Sequence, residues 1–79
     1  MEANKILSVL TKTFSVKESD LIPELKMEDV DWWDSLSHME MIADLESEFE
    51  IEFTADEIMQ MITIEAVIRI VQEKINNGD

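Results

Sequence analysis

Residues 34–49 read Asp34-Ser35-Leu36-Ser37-His38-Met39-Glu40-Met41-Ile42-Ala43-Asp44-Leu45-Glu46-Ser47-Glu48-Phe49. The stretch holds neither glycine nor proline. Asp34 is an N-cap residue type, because its short carboxylate can accept from the amides left open at a helix start. Met39, Ile42, Leu45 and Phe49 recur at three- and four-residue spacing, which predicts an amphipathic helix with one apolar stripe. The expected helix runs from Asp34 to about Phe49, roughly 22 Å at 1.5 Å per residue. Leu36 falls well off that stripe, so it lies either under the preceding loop or in solvent.

Upstream, Ile6, Val9, Leu10 and Phe14 share one helical face, and a first helix is expected over about Ala3 to Phe14. A long connection then runs from about Ser15 to Trp33. Ser19 and Asp20 suit the cap of a short turn, and Pro23 stops helix propagation. Loops of this length inside a compact domain are usually functional or pinned by their own apolar residues. Leu21, Ile22, Leu25, Val30 and one of Trp32 and Trp33 are the expected pins; an aromatic plug is favoured by the area such a ring buries.

Downstream, Thr54-Ala55-Asp56-Glu57 fits a capping box, opening a short third helix with Ile58, Met61 and Ile62 on its inner face. Thr63 caps a fourth, whose stripe is Ile64, Val67, Ile68, Val71 and Ile75 and which ends near Asn76-Asn77-Gly78. Pro23 and Gly78 are the only proline and glycine in the chain, a scarcity that disfavours turn-rich β folds. The expected fold class is all-α: a small four-helix bundle of three longer helices and one short third helix, with a long first loop.

The 79 residues suit one domain, 1–79. A domain this size buries only about 60% of its unfolded surface, so its thin core favours a binding or carrier module over a deep enzyme cavity. The 46% apolar share fits a folded chain despite its charge. With no cysteine, neither disulfides nor thiolate metal sites are available. The apolar runs are too short to span a bilayer, and Met1-Glu2-Ala3-Asn4-Lys5 lacks the features of a signal peptide, so a cytoplasmic location is expected.

The formal net charge is -13, and it is segregated. Lys5, Lys12, Lys17, Lys26, Arg69 and Lys74 are the only basic residues; between Met27 and Ile68 there are none, against 13 acidic ones. Such a field repels nucleic acid and anionic membranes, and its self-repulsion costs stability unless it steers a basic partner. A monomer is the expected state.

Ser35 would stand first in the second helix, close to unpaired backbone amides and the positive end of the helix dipole. That position suits a covalently attached phosphate. It does not suit general-base hydrolysis, because the single histidine, His38, has no evident orienting group; a partly exposed place on the helix is expected for it. Taken alone, a serine beside a helix start is ordinary capping chemistry.

The surrounding residues change that reading. Asp34-Ser35-Leu36, then Met39-Glu40-Met41-Ile42, Leu45-Glu46, Glu48-Phe49 and Ile51, resembles the phosphopantetheine-attachment signature of acyl carrier proteins. The resemblance continues through Phe53-Thr54 and Thr63-Ile64 and covers essentially the whole chain. It implies that Ser35 accepts 4′-phosphopantetheine from coenzyme A through a phosphopantetheinyl transferase, with Asp34 and Leu36 flanking the attachment. The arm's thiol then carries an acyl group as a thioester for acyl-loading, acyl-transfer or synthase enzymes of fatty acid, polyketide or specialised acyl biosynthesis.

Asp34, Leu36, Glu40, Met41, Asp44, Glu46 and Glu48 are the implied docking residues, facing basic patches on those enzymes. Trp32-Trp33 and Ser37-His38 depart from many fatty-acid carriers and look more like stand-alone carriers of specialised pathways. The resemblance implies a carrier, not an enzyme, with no catalytic and no metal-binding residues.

Two carrier-like alternatives remain open from the residues: a peptidyl carrier with the same arm, and an acidic interaction module without one. A calcium loop starting at Asp29 fails, because it lacks the glycine at its sixth position and has Trp33 where an oxygen ligand belongs.

Overall fold

The computed structural model describes residues 2–77 and holds four α-helices: α1 (Glu2–Phe14), α2 (Ser35–Phe49), α3 (Ala55–Gln60) and α4 (Ile64–Asn77). The expected all-α arrangement of three long helices and one short one is present. Gly78, expected to close the last helix, lies outside the described residues.

Helix α1 buries Ile6, Leu10 and Phe14, and α4 buries Ile64, Ala66, Val67, Ile70 and Val71. These faces meet the inner side of α2 in one core that also takes in Leu21, Trp33 and Met61. Two helices end without glycine. Ser15 (φ 57°) and Glu50 (φ 55°) take the left-handed conformation, and the amides of Val16 and Ile51 reach back to the carbonyls of Thr11 and Glu46, each at 3.2 Å. That six-to-one bond is the Schellman closure, normally given to glycine because a Cβ is strained there.

The long first loop is organised by two 3-10 turns, Glu18–Asp20 and Met27–Asp29. In each, the closing aspartate accepts from the backbone amide three residues earlier: Asp20 from Lys17 and Asp29 from Lys26, both at 3.2 Å. The loop then joins the start of α4. Ile64 N–H donates to the Leu25 carbonyl (3.1 Å) and Glu65 N–H to Pro23 (3.0 Å), while Ala66 N–H is capped by Thr63 Oγ1 at 3.0 Å. The first-turn amides of α4 are thus satisfied by the loop and the cap together. A further bond from Met27 N–H to the Ile62 carbonyl (2.9 Å) pins the loop against the α3–α4 connection.

Several expected core positions turn outward. On α2 the buried residues are His38, Met41, Ile42 and Leu45, whereas Met39 is half exposed and Phe49 only partly covered. The stripe therefore reaches the start of the helix through 38 rather than 39, one residue away from the hydropathy reading. Ile22 and Ile62 are also exposed, while Leu21, Leu25 and Val30 do pin the loop. Trp33 is the fully buried plug; Trp32 is partly buried beside it, and both rings stack at a tilt on Phe14 (centroids 5.5 and 5.1 Å).

Candidate functional site

The beginning of α2 is closed by a reciprocal pair. Ser37 N–H donates to Asp34 Oδ1 (2.9 Å), and Asp34 N–H donates to Ser37 Oγ (2.9 Å). The Ser37 hydroxyl itself donates to the Trp32 carbonyl at 2.8 Å, fastening the cap to the loop before it. The hydrogen bond from the Ser37 amide is the main cause that holds the Asp34 carboxyl below the usual aspartate range. Sequence reading identified Asp34 as the cap; the partner at Ser37 follows from helix spacing, three residues on.

Ser35 is the first residue of this helix and is exposed. Its hydroxyl has no hydrogen-bond partner among the described residues, so the cap leaves Oγ free. Leu36, next to it, stands 72% exposed, which resolves its position in favour of solvent. Beside Ser35 lies a surface groove of about 700 Å³ between the first loop and the α3–α4 connection, with Met27, Val30, Trp33 and Ile62 as its apolar wall. Ile62, which turns outward, forms part of that wall.

His38 is buried behind the cap, not partly exposed as expected. Trp33 Nε1–H donates to its Nδ1 at 3.0 Å, and its Nε2 lies 3.0 Å from the Ile58 carbonyl. An indole nitrogen only donates and a carbonyl only accepts, so the ring is the neutral tautomer with its proton on Nε2. Both nitrogens are committed, and His38 offers no lone pair to Ser35. Its orienting partner, Trp33, is five residues back, too far for local pattern reading to find.

The implied docking residues separate into groups. Met41 is fully buried, one helical turn from both His38 and Leu45, and is removed from the docking surface by this structure. Asp44 accepts from the Thr13 hydroxyl at 2.6 Å, and Glu48 lies 3.6 Å from Lys5 Nζ. Glu46 Oε2 accepts from Phe53 N–H at 2.9 Å. These three carboxylates help join α2 to its neighbours, whereas Glu40 is exposed and has no partner among the described residues.

Helix α3 is held at its first turn. Glu57 N–H donates to Thr54 Oγ1 (3.2 Å) and Thr54 N–H to Glu57 Oε1 (2.8 Å), completing the capping box read from sequence. Lys74 of α4 approaches Glu57 Oε1 at 3.0 Å. The Thr54 amide first, and Lys74 after it, hold the Glu57 carboxyl below its ordinary range.

The structure thus presents a small helical bundle with an exposed serine, unpartnered among the described residues, at a capped helix start. The model of the family described as the phosphopantetheine attachment site matches residues 4–71, and the chain belongs to that family. It is similar in structure to a holo acyl carrier protein from Geobacter metallireducens solved by solution NMR. The TM-score is 0.84 at 26% identity, over 96% of this chain and 87% of that one. Family membership makes the protein an acyl carrier, not a catalyst, with phosphopantetheine as its prosthetic group.

Proposed function

We propose that Ser35 is the attachment residue and that the chain presents acyl thioesters to partner enzymes of fatty acid, polyketide or specialised acyl biosynthesis. The observation that carries this reading is the free, exposed hydroxyl of Ser35 at the N-terminus of a 15-residue helix. A phosphodiester there meets the positive end of the helix dipole. The residues present fit the group: the Asp34–Ser37 pair holds Ser35 facing outward, and the adjacent groove gives an arm somewhere to lie. When bound, the group supplies a thiol, which a chain without cysteine does not have.

Each neighbouring residue then has a defined part. Asp34 fixes the helix start and adds negative charge at its rim. Leu36 offers an apolar contact at the attachment point, and Glu40 an unneutralised charge one turn along. With both nitrogens of His38 committed, its imidazole takes no proton from Ser35 on loading. Tethering replaces diffusion of the acyl group with a high effective concentration at each partner. A cytoplasmic setting and a monomeric state complete the reading.

The test is an intact-mass spectrum after incubation with coenzyme A and a broad-specificity transferase, beside Ser35→Ala. A gain of one phosphopantetheinyl group in the parent alone is expected. A folded parent that gains nothing turns the assignment to an interaction module without a prosthetic group.

A further inference from the structure

Trp33 enters the core just before the cap of α2, and His38 meets its only polar side-chain atom there. Trp33 Nε1–H donates to His38 Nδ1 at 3.0 Å, with the two residues 1% and 7% exposed. On the other edge of the imidazole, Nε2–H lies 3.0 Å from the Ile58 carbonyl, which also accepts from the Met61 amide at 3.4 Å. The two contacts therefore differ in weight. The Ile58 carbonyl keeps a donor without His38, whereas the indole N–H has no other acceptor among the described residues. The Trp33 side also reaches the helix start. Residues 32–34 are tied to the first turn of α2 one after another: the Trp32 carbonyl to the Ser37 hydroxyl, the Trp33 indole to His38, and Asp34 to Ser37 in both directions. Of these ties the Trp33–His38 bond alone is buried, so water does not compete for it.

We propose that His38 is a positioning residue for loading: through Trp33 it holds the turn from which the Ser35 hydroxyl reaches the phosphopantetheinyl transferase. The inference rests on the carrier reading of Ser35. Loading joins Ser35 Oγ to the pantetheine-side phosphorus of coenzyme A and breaks the pyrophosphate. An adenosine bisphosphate leaves, and the hydroxyl proton is lost to solvent. Such an in-line displacement depends on where the attacking oxygen stands. Without the buried tie, the turn is held by exposed bonds that exchange with water, and the hydroxyl meets the phosphorus in line less often. Docking is a separate matter. The charge of Glu40, unpartnered among the described residues, sits beyond the first turn of α2 and does not depend on the turn before Ser35. Loss of the tie therefore lowers kcat and spares KM.

The experiment measures kcat and KM for transferase loading of wild type, His38→Leu, His38→Asn and Trp33→Phe, each checked for folding by circular dichroism. Leucine has no acceptor for the indole. Asparagine branches its carbonyl oxygen from the carbon that carries Nδ1 in histidine, so it keeps the Trp33 bond and gives up Ile58. Trp33→Phe removes the donor and leaves a ring in the core. His38→Leu and Trp33→Phe are each expected to lower kcat about fivefold with KM within about twofold, while His38→Asn stays within about twofold of wild type in both. A merely structural role gives a different signature: a less folded variant offers less carrier, which raises apparent KM and leaves kcat alone. A change confined to KM therefore overturns the inference. Equal kcat losses in His38→Leu and His38→Asn overturn it too, as does a wild-type kcat in Trp33→Phe. If His38→Leu does not fold, Trp33→Phe against His38→Asn decides by the same criteria. All these outcomes leave the carrier reading intact, whereas a wild type that gains no phosphopantetheinyl mass removes that reading and the inference with it.

Discussion

Asp34 and Ser37 bond to one another twice, each backbone amide donating to the other's side chain at 2.9 Å, and the two residues enclosed between them are Ser35, with its free hydroxyl, and the exposed Leu36. The geometry of the proposed attachment point is therefore set by neighbours of Ser35. A third bond, from the Ser37 hydroxyl to the Trp32 carbonyl, makes the loop and the helix start one unit.

Acid should weaken this unit. The Asp34 carboxyl is depressed in the folded state, chiefly by the Ser37 amide, so its contribution to stability is present above the unfolded value of about 3.9. It is lost as pH falls through the folded value. Glu57, depressed by the Thr54 amide and then by Lys74, behaves alike. Urea midpoints at pH 7 and pH 3 should fall less for Asp34→Asn than for wild type; equal falls would remove Asp34 from the account.

Charge reversal on α2 should not be uniform. Glu40 is unpartnered among the described residues, whereas Glu48 faces Lys5. Glu40→Lys is expected to lower transferase kcat/KM by about tenfold at low salt, with the loss shrinking as salt rises. Glu48→Lys should lower it less and destabilise the α1–α2 contact instead, by no more than about 1 kcal/mol, the scale of an exposed pair. Kinetics at two ionic strengths separate these outcomes, and equal salt-independent losses would count against a docking face.

The two tryptophans should differ in cost. Trp33→Phe leaves His38 Nδ1 buried without its donor, a loss of about 1–3 kcal/mol. The whole domain is worth only about 4–12 kcal/mol at ordinary stability per residue. Trp32→Phe removes no comparable bond and is expected to cost under about 1 kcal/mol. Chemical denaturation of the two variants, read by circular dichroism, provides the comparison.

Glu50→Gly should stabilise the protein. The left-handed conformation at φ 55° costs a residue with a Cβ about 1–2 kcal/mol, and glycine's greater freedom in the unfolded chain offsets part of the relief. A net gain of about 0.5–1 kcal/mol is expected from urea titration. No gain would mean that the Glu50 carboxylate contributes something its position does not reveal.

The stripe of α2 shows where sequence reading stops. Positions 42, 45 and 49 continue toward the helix start through either 38 or 39, since both fall within a turn. Hydropathy selects Met39 over His38. The fold selects His38, because Trp33 supplies a donor, Ile58 supplies an acceptor, and a histidine with both nitrogens bonded can be buried. Met41 moves inward with it and leaves the docking surface. Ile62 also lies outward of the core, at the edge of a groove it shares with the first loop.

The sequence by itself determined the number and order of the helices, the N-caps of α2, α3 and α4, the segregated charge, and Ser35 at the first position of α2. Each of these depends on interactions within three or four residues, or on composition. Tertiary structure alone decided which face of α2 is buried, which carboxylates are already engaged, and that α3 is tied to Trp33 through His38. Those depend on partners brought together from distant segments, and neither periodicity nor spacing encodes which of them will meet.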